Sequence, residues 1–391
     1  MRFRKLKKYQ GVTLVLSDVE ALEELEQYIR HPIPFRINLY IGMISFGFTS
    51  SSKHVTKLSL DSKNVSRLPE SIGTLTNLTQ VSIADNRLKA LPETIGLLTN
   101  LQELYLPGNR LNKVPESIGQ LQQLKSLNIS ANQLWAIPES IGSLQNLQGL
   151  FLSRNRMGSV PESLGQLKNL QNLDLSNNRL RTLPDSIGQL DNLRILWLGW
   201  NHLKTLPDSI GQLNNLESLS LDSNEFQSLP ETIGGLKNLK KLSVENNQLR
   251  ILPATFNELE NLTEFKIWNN PPELLWIAKK HPNLGEYWST FLLQAMLRTN
   301  PLVQHLHYKS IKALDTISCP FCGDNKLLIG QEKDTEQTVM VCIMCGTPFH
   351  SIEALETISC PFCGGYKLFD GQKKDTEQKI MLCITCGNRI Q

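Results

Sequence analysis

From about residue 68 to residue 270 the leucines keep a period of 23 residues. One unit reads "LPDSIGQLDNLRILWLGWNHLKT", residues 183–205. Within it Leu196 and Leu198 alternate with their neighbours, as the residues of a short strand do. Leu193, Leu196, Leu198 and Leu203 have counterparts in every unit and form its inward set. One unit cannot bury these leucines alone, so the pattern predicts stacked coils whose strands, 23 residues apart, pair side by side. The segment "LPDSIG" supplies the return on the convex side and is too short for much helix. Nine strands at a spacing of about 4.8 Å make a parallel sheet roughly 40 Å across.

The same frame carries a proline ladder from Pro69 to Pro253 and nine asparagines: Asn86, Asn109, Asn132, Asn155, Asn178, Asn201, Asn224, Asn247 and Asn270. The pattern L-x-x-L-x-L-x-x-N-x-L resembles the leucine-rich repeat family. The unit "LPxSIGxLxNL" is most similar to the intracellular repeat proteins of the Ras-associated group and their prokaryotic relatives. The lead-in "KHVTKLSLDSKNVSRLPESIG" also looks like the start of archaeal repeat arrays. The resemblance implies a curved α/β solenoid, a horseshoe, in which each asparagine amide bonds to backbone groups of the adjacent coil that burial would otherwise leave unpaired.

A regular stack needs covered ends. Residues 18–30, "DVEALEELEQYIR", read as a helix with Asp18 at its N-cap. Residues 31–54 read as an irregular lead-in, and Lys63 stands in the first ladder position, marking a degenerate coil. At the far end Pro271-Pro272 stops the repeat. The stretch after it reads as two helices broken near Pro282, with Trp276, Trp288 and Phe291 covering the last coil. The expected order is a cap and lead-in (1–54), the solenoid (55–270), a C-terminal helical cap and linker (271–309), and two modules (310–350 and 351–391).

The outward strand positions form a column: Ser82, Tyr105, Asn128, Phe151, Asp174, Trp197, Ser220, Ser243 and Lys266. Three aromatics therefore sit on the concave side two coils apart, roughly 10 Å by strand spacing. Trp200 and Trp268 add to that side, with Arg154 and Asp174 near them. Tryptophan, tyrosine and arginine dominate binding energy at protein interfaces, and an exposed aromatic stripe on a rigid face marks a docking site. The competing reading is inheritance: the 46-residue spacing of Tyr105, Phe151 and Trp197 also fits duplication of a two-coil unit.

The tail holds all eight cysteines. Residues 310–346 and 351–387 are near copies offset by 41, each with C-x2-C, nineteen residues, and C-x2-C. Two thiolates on each of two tight turns supply four sulfurs for a tetrahedral ion. "CPFCG" with "CIMCG" or "CITCG" resembles the knuckles of zinc ribbons. On that resemblance Cys319, Cys322, Cys342 and Cys345 hold one structural zinc ion, and Cys360, Cys363, Cys383 and Cys386 a second. "KLLIG" and "TVMVC" are the expected strands between knuckles. Disulfides, a rubredoxin-like iron site and a cross-braced RING arrangement are the alternatives. A cytoplasmic location speaks against the first, the missing aromatic core against the second, and the clean duplication against the third.

Composition adds constraints. Apolar residues at 40% and charged residues at 20% fit a folded chain, and a net charge of +3 implies no strongly electrostatic partner. The longest apolar patch, "LYIGMISFGF", is far short of a bilayer span. The apolar run near the start is too short for a signal peptide, so the expectation is a cytoplasmic protein without membrane contact. No phosphate loop, paired-carboxylate or nucleophile motif stands out, and four thiolates per ion leave no open metal position. The expected role is a non-catalytic interaction scaffold that binds a protein on its concave face. A small GTPase is the partner that the Ras-associated resemblance suggests. The alternative is a nucleic-acid-associated regulator acting through the ribbons. It is disfavoured because residues 311–391 carry eight Lys/Arg against ten Asp/Glu, where phosphate binding needs a basic patch.

Overall fold

The computed structural model describes residues 5–39 and 45–271 with their side chains, and the backbone of seven short strands between residues 312 and 390. The chain divides into two units, Met1–Leu284 and Gly285–Gln391.

The first unit begins with an antiparallel pair, β1 (Leu6–Tyr9) and β2 (Val12–Val15), followed by helix α1 (Leu16–Ile29). A hairpin, β3 (Phe46–Ser51) with β4 (His54–Leu60), leads into nine three-residue strands, from β5 (Gln80–Ser82) to β13 (Glu264–Lys266). These form one sheet of eleven strands in chain order, parallel from β4 onward, with β3 antiparallel at its edge. The lead-in, expected to hold irregular strands, includes β3, an edge strand whose register against β4 shifts between Thr49 and Ser50, at the N-terminal end of the sheet. Each coil returns through a five-residue 3-10 turn that starts after the frame proline, such as Asp185–Gln189. The proline fixes an extended entry, and the short turn fits a helix type that rarely runs longer.

Leucines and isoleucines of the inward set are buried in every coil; Leu193, Leu196, Leu198 and Leu203 have no exposed surface. The asparagine ladder forms as the family resemblance implies. Asn201 is 6% exposed; its Nδ2 donates to the carbonyls of Leu175 and Leu198, both at 3.0 Å, and its Oδ1 accepts from the Leu180 amide at 3.0 Å. The same bonds recur from Asn109 to Asn270. A second ladder, absent from the expectations above, runs along the surface. The asparagine of "LxNL" donates to a carbonyl 24 residues earlier, as Asn192 does to Lys168 and Asn215 to Asp191.

Small residues set the spacing of the convex side. A Cβ placed on Gly165 would come within 2.4 Å of the Ser186 carbonyl oxygen, and Gly142 and Gly188 meet Ser163 and Ser209 in the same way. The glycine that ends "SIG", present in eight of the nine turns, is therefore a packing device: it gives up its side chain so that the next coil's backbone can approach.

Asp18 does not cap α1. The N-cap is Val15, without a side-chain bond, and the Leu16 amide donates instead to the Lys5 carbonyl at 2.8 Å. Asp18 lies within the first turn, buried, and its Oδ2 accepts from the Val55 amide at 2.9 Å. Its carboxylate pins the helix to β4, where the unpaired amide is. Lys63 does occupy the first ladder position, donating its backbone amide to Asn86 Oδ1 at 3.0 Å.

In the second unit, β15 (Leu327–Gln331) and β16 (Thr338–Cys342) are the two expected inter-knuckle strands, paired antiparallel, with β14 (Lys312–Leu314) and β17 (Pro348–Phe349) outside them. Among the described residues the second copy repeats the last three of these strands, as β18 (Leu368–Gln372), β19 (Lys379–Cys383) and β20 (Arg389–Ile390). The expected C-terminal helical cap, with Trp276, Trp288 and Phe291, lies outside the described residues.

Candidate concave interaction face

Strand register builds the face. Ser82, Tyr105, Asn128, Phe151, Asp174, Trp197, Ser220, Ser243 and Lys266 are cross-strand partners in one unbroken row. Trp197 is 39% exposed, while Tyr105 and Phe151 are half-buried. Phe151 lies back over Gly149, where a Cβ would come within 2.9 Å of its ring. The glycine lets the ring lie along the sheet instead of standing away from it.

Asp174 occupies the row between Phe151 and Trp197 but is only 8% exposed. Its Oδ1 accepts from the Ser176 amide at 3.0 Å and the Ser176 hydroxyl at 2.6 Å, so this carboxylate is spent within the coil. Trp268 is half-buried two residues beyond the row.

Trp200 and Arg154 share a column of another kind. In every coil the residue just before the ladder position has a positive φ, from Ser62 at 57° to Asn269 at 53°. Serine, aspartate, asparagine and glycine fill most of these positions, as left-handed backbone favours. Trp200 (φ 60°, 66% exposed) and Arg154 (φ 55°) depart from that preference. The repeat itself holds this backbone through inter-coil bonds, such as the Trp200 amide to the Asp222 carbonyl at 2.7 Å, so the departure lies in the choice of a bulky side chain there.

Carboxylates gather at the C-terminal end of the face. Asp222 Oδ2 accepts from the Ser220 hydroxyl at 2.8 Å; Oδ1 accepts from the Ser243 hydroxyl and from the Glu245 amide. Burial first, and then the neighbouring Asp222 charge, push the Glu245 carboxyl above the ordinary carboxylate range, with Lys266 opposing. The repeat pattern does not single out this acidic end, because its residues fall on ordinary repeat positions. Nor does the concave column include Trp135, which is 58% exposed on the flank of the solenoid. The available signal is a tryptophan in a column otherwise filled by Ser66, Lys89, Asn112, Gly158, Arg181, Lys204, Gln227 and Arg250.

Of the eight proposed metal ligands, Cys342 and Cys383 end β16 and β19 and sit opposite Leu327 and Leu368 in identical registers. Cys319, Cys322, Cys345, Cys360, Cys363 and Cys386 lie outside the described residues. The donor chemistry, four thiolates in each copy, suits a borderline-soft ion of tetrahedral preference.

The sequence matches the leucine-rich repeat region family over residues 44–131, 139–221 and 185–279, and a single leucine-rich repeat over 123–144. No curated protein matches. Among solved structures, the chain is similar to the leucine-rich repeat protein LIC12759 of Leptospira interrogans, with 37% identity and a TM-score of 0.54 over 63% of this chain and 64% of that one. It is also similar to a TDR receptor, with 32% identity and a TM-score of 0.50 over 55% of this chain and 39% of that one. The chain therefore spans less than two thirds of either protein. The family match covers more than half of the sequence, and the ladder and stacked parallel strands agree with it: this chain belongs to the leucine-rich repeat family.

Proposed function

We propose that this protein is a non-catalytic, cytoplasmic scaffold that binds a protein partner on its concave face. The family's general role in protein–protein interaction supports the class. The observation that carries the site is Trp200, a large apolar side chain 66% exposed on left-handed backbone beside the exposed Trp197. Neither tryptophan serves the buried core, and each is the residue type that anchors interfaces. Tyr105 and Phe151 extend the apolar strip, and Arg154 supplies a cation beside it. The acidic end at Asp222 and Glu245 favours a partner that presents a basic group next to its apolar anchor. A small GTPase of the Ras type is one partner of the proposed class, on the strength of the repeat type alone.

In this reading the tail holds two structural zinc ions, one per copy. Its support is the closed four-cysteine set in each copy and the identical strand register around Cys342 and Cys383. A reducing compartment keeps eight cysteines as metal-binding thiolates, which agrees with the proposed cytoplasmic location.

The test is affinity capture from a lysate of the source cells with the intact protein and with a variant carrying Tyr105→Ser, Phe151→Ser and Trp197→Ser. The reading expects a partner that the intact protein retains and the variant loses, at unchanged circular dichroism. A partner retained equally by both would place binding elsewhere.

A further inference from the structure

A second surface, independent of the concave face, is marked by charge. The four residues after each ladder position, from Asn64 to Thr205, include no aspartate or glutamate in seven consecutive coils. The same segments carry Arg87, Lys89, Arg110, Arg156, Arg179 and Arg181, all exposed. None of these six forms an ion pair among the described residues. Elsewhere the molecule does pair its charges between coils: Arg194 with Glu217, Lys237 with Glu258, Lys240 with Glu217. The first acid to enter this flank, Glu225, pairs at once with His202 Nδ1 at 3.1 Å and lies 3.9 Å from Lys204 Nζ. A row of like charges at coil spacing repels itself.

Trp135 lies in the middle of the row. The guanidinium carbons of Arg156 and Arg179 stand 6.0 and 5.8 Å from its ring centroid. Arginine over an aromatic face is held by the ring quadrupole and keeps its planar fork free for an anion. We propose that this flank is a docking strip for an acidic, extended segment of a protein partner, read by arginine forks on its carboxylates.

The neighbouring surface limits the width of the anion. Four residues after the Lys204 column, the residue following the frame proline is acidic in eight consecutive coils, from Glu70 to Glu231. That parallel ridge repels a broad polyanion such as a duplex or a charged membrane but tolerates one narrow chain. Five coil steps from Arg87 to the His202 coil cover about 24 Å at the strand spacing, which an extended peptide of about seven residues spans.

The experiment is fluorescence anisotropy of a labelled oligoglutamate peptide of about eight residues with the intact protein, at low and physiological salt. The expected result is saturable binding that weakens as salt rises. A variant carrying Arg110→Glu, Arg156→Glu and Arg179→Glu should bind at least about tenfold more weakly, a loss of about 1.4 kcal/mol. Its melting temperature should match that of the parent, because the three side chains are exposed. The variant carrying Tyr105→Ser, Phe151→Ser and Trp197→Ser should bind the peptide as the parent does. The proposal is overturned if the peptide does not bind, if charge reversal leaves binding unchanged, or if an oligothymidylate of similar length binds more tightly. The last result would assign the strip to single-stranded nucleic acid.

Discussion

Asn201 shows how much one side chain settles in this fold. Its amide satisfies a carbonyl of the preceding coil, a carbonyl of its own strand and an amide that begins the preceding coil's outer segment, all buried. Replacing it with leucine leaves those groups unpaired, at about 1–3 kcal/mol each before relaxation. Asn201→Leu should therefore lower unfolding free energy by about 2–5 kcal/mol, read from the midpoint of denaturant unfolding; an unchanged midpoint would contradict the ladder. This residue was legible in sequence because the ladder repeats it nine times. Glu245 was not, because its state depends on Asp222 one coil away and on burial. Its raised folded-state pKa means the folded form holds the proton more tightly than the unfolded chain. The ionised form is therefore destabilising at neutral pH, and this penalty vanishes as pH falls below the ordinary glutamate value near 4.5. Glu245→Gln should raise the melting temperature at pH 7 and leave it unchanged at pH 4. A loss of stability at pH 7 would show that the carboxylate is favourably held.

Between coils, the element that fixes spacing is the 3-10 turn with its glycine. Gly165→Ala forces a methyl against the Ser186 carbonyl, and backbone has little room to give. Overpacking of this kind costs about 1–3 kcal/mol. Thermal unfolding should show the loss, and the same change at Gly158, where a Cβ meets nothing within 4 Å, should not. Equal effects at the two sites would remove the packing argument. Period and alternation revealed the strands and turns because every coil repeats the same inward leucines. They misplaced Asp18 at the helix cap because an acid near a helix start ordinarily caps it. Here Lys5, just before β1, supplies the carbonyl and the Val55 amide of β4 takes the carboxylate, facts that belong to tertiary contacts. The irregular strands expected in the lead-in could not be placed for a related reason: β3, an edge strand outside the period, has no counterpart to fix its bounds.

At the scale of the molecule, two kinds of stability sit in one chain. The solenoid rests on a buried leucine core; the tail copies are too small to bury much, and in the proposed reading metal supplies their folding free energy. Elemental analysis should then find two zinc ions per chain, and chelation should lower the two-ion signal without moving the unfolding transition of the solenoid. One ion per chain would favour a shared, cross-braced site, and iron a rubredoxin-like one. In the reading proposed for the other unit, the tryptophans at 197 and 200 face outward because a protein covers them. The most direct measurement is hydroxyl-radical footprinting of the intact protein, free and bound to its captured partner. In the free protein Trp197 and Trp200, at 39% and 66% exposure, should both be oxidised readily. In the complex both should be protected several-fold, whereas Leu97, 52% exposed on the convex turns, should react as before. Undiminished oxidation of Trp197 and Trp200 in the complex would contradict the account.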